Sequence, residues 1–438
     1  MGVSAEASVR REQRAWFVYD WANSAYASTV VTLFLGPYLT AVAKAGAGPD
    51  GYIHPFGVQV DPRSLWGYLV SISVLSQVLV LPLVGAIADY GRRKREILGA
   101  LAYTGAIATM GLFFVEGSNY LLGAALFLVA NLAFGASMVV YNAFLPELAA
   151  PEERDSVSSK GWGVGYLGGG LLLALNLAFL SNAEKLGITK GMAVRISMGS
   201  AGLWWALFTL VPLAMLRNRG AQRTLPAGET IFGVGFRQFR HTVAGLRRYP
   251  KTLLFLAAYL TYNDAIQTVI AMAGQFGSDD LKMPMEQLTL AILMVQFVAF
   301  GGAMLFNWIS TRVTAKRAVL GALVVWTGVL GYIYAAVSTP AEFFVMAGLV
   351  GLVMGGSQAL SRSLFSQMIP AGKEAEYFSL YEISDKGTSW LGPLVFGLAL
   401  QMTGSYRLAA LSLTIFFVVG FALLSRVNVE EAAAEAGR

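Results

Sequence analysis

Cysteine is absent from the 438 residues, so the chain can form neither a disulfide nor a thiolate metal site. Histidine is nearly absent: His54 and His241 are the two copies, and both fall in connectors between apolar runs. No HExxH pair and no Walker A string GxxxxGK[ST] occurs, which excludes zincin chemistry and phosphate-loop chemistry within this chain. Charge is scarce as well. Asp, Glu, Lys and Arg make up 13% of the residues, against about a quarter in an ordinary globular chain.

Hydrophobic residues fill the gap at 56%, and mean hydropathy is +0.58. They are gathered into about a dozen runs of roughly 20 residues, each long enough to cross the hydrocarbon core of a bilayer as a helix. The spacing places helices near 14–43, 65–88, 97–115, 120–145, 161–181 and 196–216. A second set falls near 252–275, 287–308, 315–337, 342–367, 379–402 and 407–425. The expected fold class is therefore an all-α polytopic membrane protein with twelve transmembrane helices. The first run follows Arg10, Arg11 and Arg14 but is too long for a signal-peptide core, so it reads as the first spanning helix.

With twelve helices both termini share a side. About three quarters of the Lys and Arg lie in connectors on that side, which marks it as cytoplasmic. The net charge of +6 thus needs no nucleic-acid partner. The longest connector, 217–251, divides the chain into 1–216 and 252–438. In it Phe232, Phe236, Phe239, Val243 and Leu246 recur at helical spacing between arginines, the pattern of an amphipathic helix on anionic headgroups.

The two halves share signatures. Tyr19-x3-Asn23-x-Ala25 in the first helix matches Tyr259-x3-Asn263-x-Ala265 in the seventh, and Pro151-x2-Arg154 matches Pro370-x2-Lys373. A duplicated six-helix unit follows, with two bundles about a pseudo-twofold axis and the first, fourth, seventh and tenth helices around a central path. Gly163, Gly165 and Gly168 spell GxGxxG, but no strand precedes them, so the dinucleotide reading fails. Gly161, Gly165 and Gly169, like Gly348, Gly351 and Gly355, are spaced for close helix packing.

Several polar residues interrupt the apolar runs. Asp20, Ser24, Ser28 and Thr32 are four apart on the first helix, with Asn23 beside them, and share one face. That face is expected to look into a cavity. In the seventh helix Asn263, Asp264 and Gln267 repeat the idea. At about 1.5 Å per residue Asp264 lies about 18 Å from Thr252, near the middle of the bilayer. An ionisable group there is costly and faces the bundle interior, where it can exchange protons or bind an ammonium group. Asp264 is expected to be the principal site, with Asn23 and Ser24 opposite. Asn131 in the fourth helix and Gln358 in the tenth join the set of candidates. Glu382, Asp385 and Lys386 form a charged group in the eleventh helix, readable either as a proton or zwitterion site or as a gate salt bridge.

The second connector reads GAIADYGRRKRE from Gly85. It resembles the signature loop of the major facilitator superfamily, with one residue rather than two between Asp89 and Gly91. Gly85, Asp89, Gly91, Arg92 and Arg93 are the expected gating residues. Asp89 can pair with the arginines or sit against a neighbouring helix N-terminus, where the dipole favours an anion.

Longer strings narrow the resemblance: YDWANSAYAST from Tyr19, YNAFLPELA from Tyr141 and GWGVGYLGGG from Gly161, then YNDAIQTVIAMA from Tyr262, GGSQALSRSLFSQMIP from Gly355 and EAEYFSLYEISDKGTSWLGP from Glu374. Together they are similar to the vacuolar amino-acid effluxer (autophagy-related permease) family, in its compact bacterial form, over nearly the whole chain. Ala265 stands where that family has Gly, and Asp385 where it has a small residue. The resemblance implies a twelve-helix alternating-access carrier that exports small metabolites such as amino acids, and the compact form favours the bacterial inner membrane. A small polar, amino-acid-like cargo, a monomer, proton coupling at Asp264 and no cofactor complete the expectation. An amphiphile or drug exporter of the same fold, and a non-transporting membrane sensor or scaffold, are the competing readings.

Overall fold

A computed structural model describes residues 2–62, 64–90, 93–219, 248–386 and 391–437. Among these, eleven helices are long and apolar enough to cross a membrane. We number them α1 (Ala7–Ala45), α2 (Leu65–Asp89), α3 (Lys94–Phe114), α4 (Tyr120–Leu148), α5 (Pro151–Ser181), α6 (Lys190–Met215), α7 (Pro250–Ser278), α8 (Gln287–Val313), α9 (Ala315–Ala335) and α10 (Pro340–Gln367). The place of the eleventh expected helix is taken by α11 (Glu374–Lys386) and α12 (Leu391–Thr403). The eleventh long apolar span is α13 (Tyr406–Ser425), and a short helix, α14 (Val429–Glu435), follows it. The amphipathic helix expected within 217–251 falls on 220–247, outside the described residues.

Local chemistry sets the helix ends. Thr189 accepts from the Met192 N–H at the start of α6, and Thr339 with Glu342 forms a capping box on α10. A single residue, Thr314, joins α8 to α9 with a positive φ of 122°. Its side chain caps the new helix by accepting from the Arg317 N–H. In α1 the stretch Tyr26–Phe34 winds as a π-helix. The Thr32 hydroxyl accordingly donates to the Ala27 carbonyl five residues back, and Thr32 leaves the stripe begun by Asp20 and lies exposed.

The chain forms two compact units. Unit 1 holds Met1–Leu81, Arg92–Tyr141 and Val164–Arg219. Unit 2 holds Gly220–Arg438 together with Pro82–Gly91 and Asn142–Gly163. The units therefore depart from the sequence halves, because the last turns of α2, the end of α4 and the first turns of α5 pack with α10 and α11. Two of the changeovers have a local cause. Pro82 lies inside α2 and removes a ladder hydrogen bond, and the helix of α4 is interrupted at Ala143 and Phe144 ahead of Pro146.

Within unit 1, α5 lies directly against α1. A β-carbon on Gly168 would stand 2.5 Å from the Trp21 carbonyl oxygen, closer than any side chain permits. Within unit 2, α8 and α10 meet in the same way at Gly355, where a β-carbon would stand 2.1 Å from the Ala299 carbonyl oxygen. Small residues at such crossings let backbones approach where lipid offers no hydrophobic drive.

Candidate functional site

The polar face of α1 closes inside unit 1. Asp20 is 4% exposed and accepts a 2.6 Å hydrogen bond from the Tyr141 hydroxyl. The Tyr141 ring stacks on Trp16 at 4.4 Å, and its carbonyl accepts from the Trp16 indole N–H. Asn23 donates to the Tyr19 carbonyl at 2.8 Å and to the Met138 sulfur. Ser24 is half-buried against Gly165, and Ser28 donates to the Ser24 carbonyl and to that of Gly169. The glycines of α5 lack side chains, so α5 fills the space into which this face was expected to look. Asn131 donates to the Ser73 hydroxyl of α2 at 2.7 Å, tying α2 to α4.

Unit 2 contains the other groups. Asp264 is 2% exposed in α7, and one carboxylate oxygen accepts from the Gly392 N–H at 2.6 Å in the first turn of α12. Its other oxygen is buried without a hydrogen-bond partner among the described residues. A β-carbon on Gly392 would lie 2.2 Å from the Thr268 hydroxyl, so α12 starts in contact with α7 one turn beyond Asp264. Asn263 is buried beside it and Gln267 is half-buried. Gln358 is buried in α10.

At the other end of unit 2, the end of α2 meets the start of α11. The Asp89 carboxylate accepts from the Ala375 N–H at 3.0 Å and from the Glu376 N–H at 2.8 Å. It thereby satisfies two of the donors that a helix leaves open in its first turn and lies where the dipole favours an anion. Gly85, one turn earlier, touches the Ala375 backbone. Arg93 is exposed at the N-cap of α3. Gly91 and Arg92 lie outside the described residues, as do the side chains of Asp385 and Lys386.

A second seam joins the ends of α4 and α5 to α10 and α11, and its centre is a residue that the sequence reading passed over. Arg362 is 1% exposed. Its Nε donates to the Ser158 hydroxyl at 2.9 Å, Nη2 to the Ser158 carbonyl at 2.8 Å and Nη1 to the Asn142 side-chain oxygen at 3.4 Å. The guanidinium lies over the Trp162 ring at 5.3 Å, a cation–π contact. The Asn142 amide nitrogen donates to Glu382 at 2.7 Å. Around this core Arg154 donates to the Ser366 carbonyl at 2.9 Å, Ser158 donates to that of Ala359, and Ser363 donates to Asp155 at 2.5 Å. An arginine inside an otherwise apolar span was the available signal for Arg362. Asn142 and Ser158 carried none.

Comparison with known proteins decides the family. The sequence pattern of the family described as "Vacuole effluxer Atg22 like" matches residues 8–437. The chain belongs to that family. A similar relative is the uncharacterized MFS-type transporter YxiO of Bacillus subtilis (strain 168), 31% identical over 96% of this chain and 95% of its own length. Autophagy-related protein 22 of Pyricularia oryzae is 26% identical over 97% of this chain and 77% of its own length. Among solved structures, the proton:xylose symporter XylE is similar with a TM-score of 0.71 and 13% identity, over 99% of both chains. This Atg22-like protein is thus a membrane transporter of the major facilitator fold, and the buried polar groups above belong to a transport protein.

Proposed function

We propose that this Atg22-like transporter exports a small polar, amino-acid-like metabolite across the bacterial inner membrane by alternating access, with both termini in the cytoplasm and Asp264 as its proton-coupled site. The observation that carries the reading is the buried Asp264 carboxylate in α7, one oxygen on the Gly392 N–H and the other without a partner among the described residues. A membrane-embedded carboxylate with an oxygen to spare suits a proton or an ammonium group that comes and goes. The polar character of Asn263 and Gln267 beside it favours polar cargo over an amphiphile. Membership in a family described as effluxers supports the direction. The Lys and Arg bias of the connectors supports the orientation.

Reconstitution tests this. Proteoliposomes loaded with each of the twenty radiolabelled L-amino acids in turn are expected to release one group of them faster when a proton gradient is imposed. Release equal to that of empty-vesicle controls for all twenty would reject the cargo assignment. Release that ignores the gradient would reject the coupling.

A further inference from the structure

We propose that Arg362 and Glu382 form a binding site for the carboxylate and ammonium groups of a zwitterionic amino acid, occupied in this conformation by the side-chain amide of Asn142. The inference rests on the amino-acid-like cargo proposed above and assigns it a site.

The amide stands between two buried, oppositely charged groups. Its oxygen accepts from Arg362 Nη1 at 3.4 Å, and its nitrogen donates to Glu382 at 2.7 Å. Arg362, Asn142 and Glu382 are 1%, 1% and 4% exposed. A guanidinium has donors alone and a carboxylate acceptors alone, so the amide can face them in one orientation. An amino acid presents the same order, acceptor then donor, on adjoining atoms and with whole charges. Charge-assisted hydrogen bonds are roughly twice as strong as neutral ones, so the zwitterion is the better occupant once the place is open.

The covalent layout makes that opening a single event. Ser158, Asn142 and Trp162 are among the residues that hold Arg362. All three residues lie in the segment Asn142–Gly163, which is continuous at both ends with unit 1. The residue before it, Tyr141, is held by Asp20 and Trp16 of α1. Withdrawal of this segment removes the amide, the Ser158 oxygens and the Trp162 ring together, while Arg362 and Glu382 stay on α10 and α11. Two membrane-embedded charges of opposite sign then flank the place that the amide has left. An anion or a cation alone would match one of them. A zwitterion matches both.

Asn142 lies six residues before the end of α4, Arg362 five before the end of α10 and Glu382 eight beyond the start of α11. At about 1.5 Å per residue the site is on the order of 8–12 Å inside those helix ends. It is built from α4, α10 and α11, whereas the Asp264 carboxylate stands between α7 and α12.

The test measures binding to the purified full-length protein by calorimetry and thermal shift. The probes are the twenty L-amino acids, then the N-acetyl and methyl-ester derivatives of the strongest binder. The free amino acid is expected to bind, and each blocked derivative to bind at least about tenfold more weakly, since one charge-assisted contact is lost. Arg362→Gln and Glu382→Gln are expected to lose binding to the same degree. Asn142→Ala is the decisive variant. It removes the internal competitor and is expected to bind about three- to tenfold tighter, because a larger fraction of molecules is binding-competent. Equal or weaker binding by Asn142→Ala, or blocked derivatives that bind as well as the free amino acid, would overturn the proposal. If Arg362→Gln does not give monodisperse protein, Arg362→Lys, which keeps charge but loses the planar fork, must bind more weakly than wild type. The two readings separate cleanly. Binding that survives in Arg362→Gln and Glu382→Gln removes the site and leaves the cargo reading standing, whereas no amino acid binding to wild type removes both.

Discussion

Gly85 and Ala375 approach so closely that a β-carbon on Gly85 would stand 2.6 Å from the Ala375 carbonyl oxygen. One turn further along α2, Asp89 accepts from the Ala375 and Glu376 N–H groups. The glycine and the carboxylate are two halves of one device. The missing side chain lets α2 reach the start of α11, and the carboxylate then satisfies that helix terminus.

Gly85→Leu should therefore open this seam within unit 2 while leaving the helices folded. The chain has no cysteine, so a single probe can be introduced without background. Ser379, one turn beyond Ala375 on α11, is buried. Ser379→Cys should react slowly with a maleimide in the parent protein and several-fold faster when Gly85→Leu is added. Equal rates would show that the close approach does not hold the seam.

Asp89→Asn keeps the shape and one acceptor but removes the charge from the helix terminus. The loss amounts to about 0.3–1 kcal/mol for an exposed site and up to ~2 kcal/mol for a partly buried one. The same labelling assay should show a smaller acceleration than Gly85→Leu, with an unchanged elution profile. An unaltered rate would argue against a gating role for Asp89.

Gly168→Ala tests the α1–α5 crossing. Its β-carbon would meet the Trp21 carbonyl, and an overpacked site of this kind costs about 1–3 kcal/mol. Gly191→Ala in α6 is the control, since nothing lies within 4 Å of the new methyl. It should be neutral or stabilise by about 0.5–1 kcal/mol through helix propensity. Melting temperatures of the two variants should move in opposite directions, and a shared direction would contradict the packing account.

Asp264→Asn should preserve the bond from Gly392 through the remaining carbonyl oxygen, and with it the fold, while abolishing titration at this position. Transport into proteoliposomes is expected to lose its pH dependence and to keep some exchange. Asp264→Ala, which leaves the Gly392 N–H without its acceptor, should in addition destabilise the protein by about 1–3 kcal/mol. A wild-type pH profile in Asp264→Asn would move the coupling role elsewhere, with Glu382 the next group to examine.

Much of this was legible in the chain itself. Apolar runs of bilayer length fixed the class, because a run of about 20 residues without charge has few stable alternatives to a spanning helix. The paired Tyr-x3-Asn-x-Ala strings pointed to a duplicated unit, and the longer strings from YDWANSAYAST at Tyr19 to EAEYFSLYEISDKGTSWLGP at Glu374 pointed to the family. Asp264 announced itself as an ionisable group at depth. Arg362 had the same credentials and could have been found on them.

What tertiary structure decided is which groups meet, and helical periodicity carries no information on that. A stripe such as Asp20, Ser24 and Ser28 has the same spacing whether it faces water or a neighbouring backbone, and the glycines of α5 settled the matter by leaving room for direct contact. Likewise an arginine at 362, an amide at 142 and a carboxylate at 382 are separated by long stretches of sequence. Their order became one acceptor and one donor between two charges because α4, α10 and α11 converge at that point. Sequence by itself determined the solvent each helix requires and the residues that would be costly within it. The partner that offsets each cost is set by helix packing, since burial in a bilayer compels a polar group to find a partner without specifying which one.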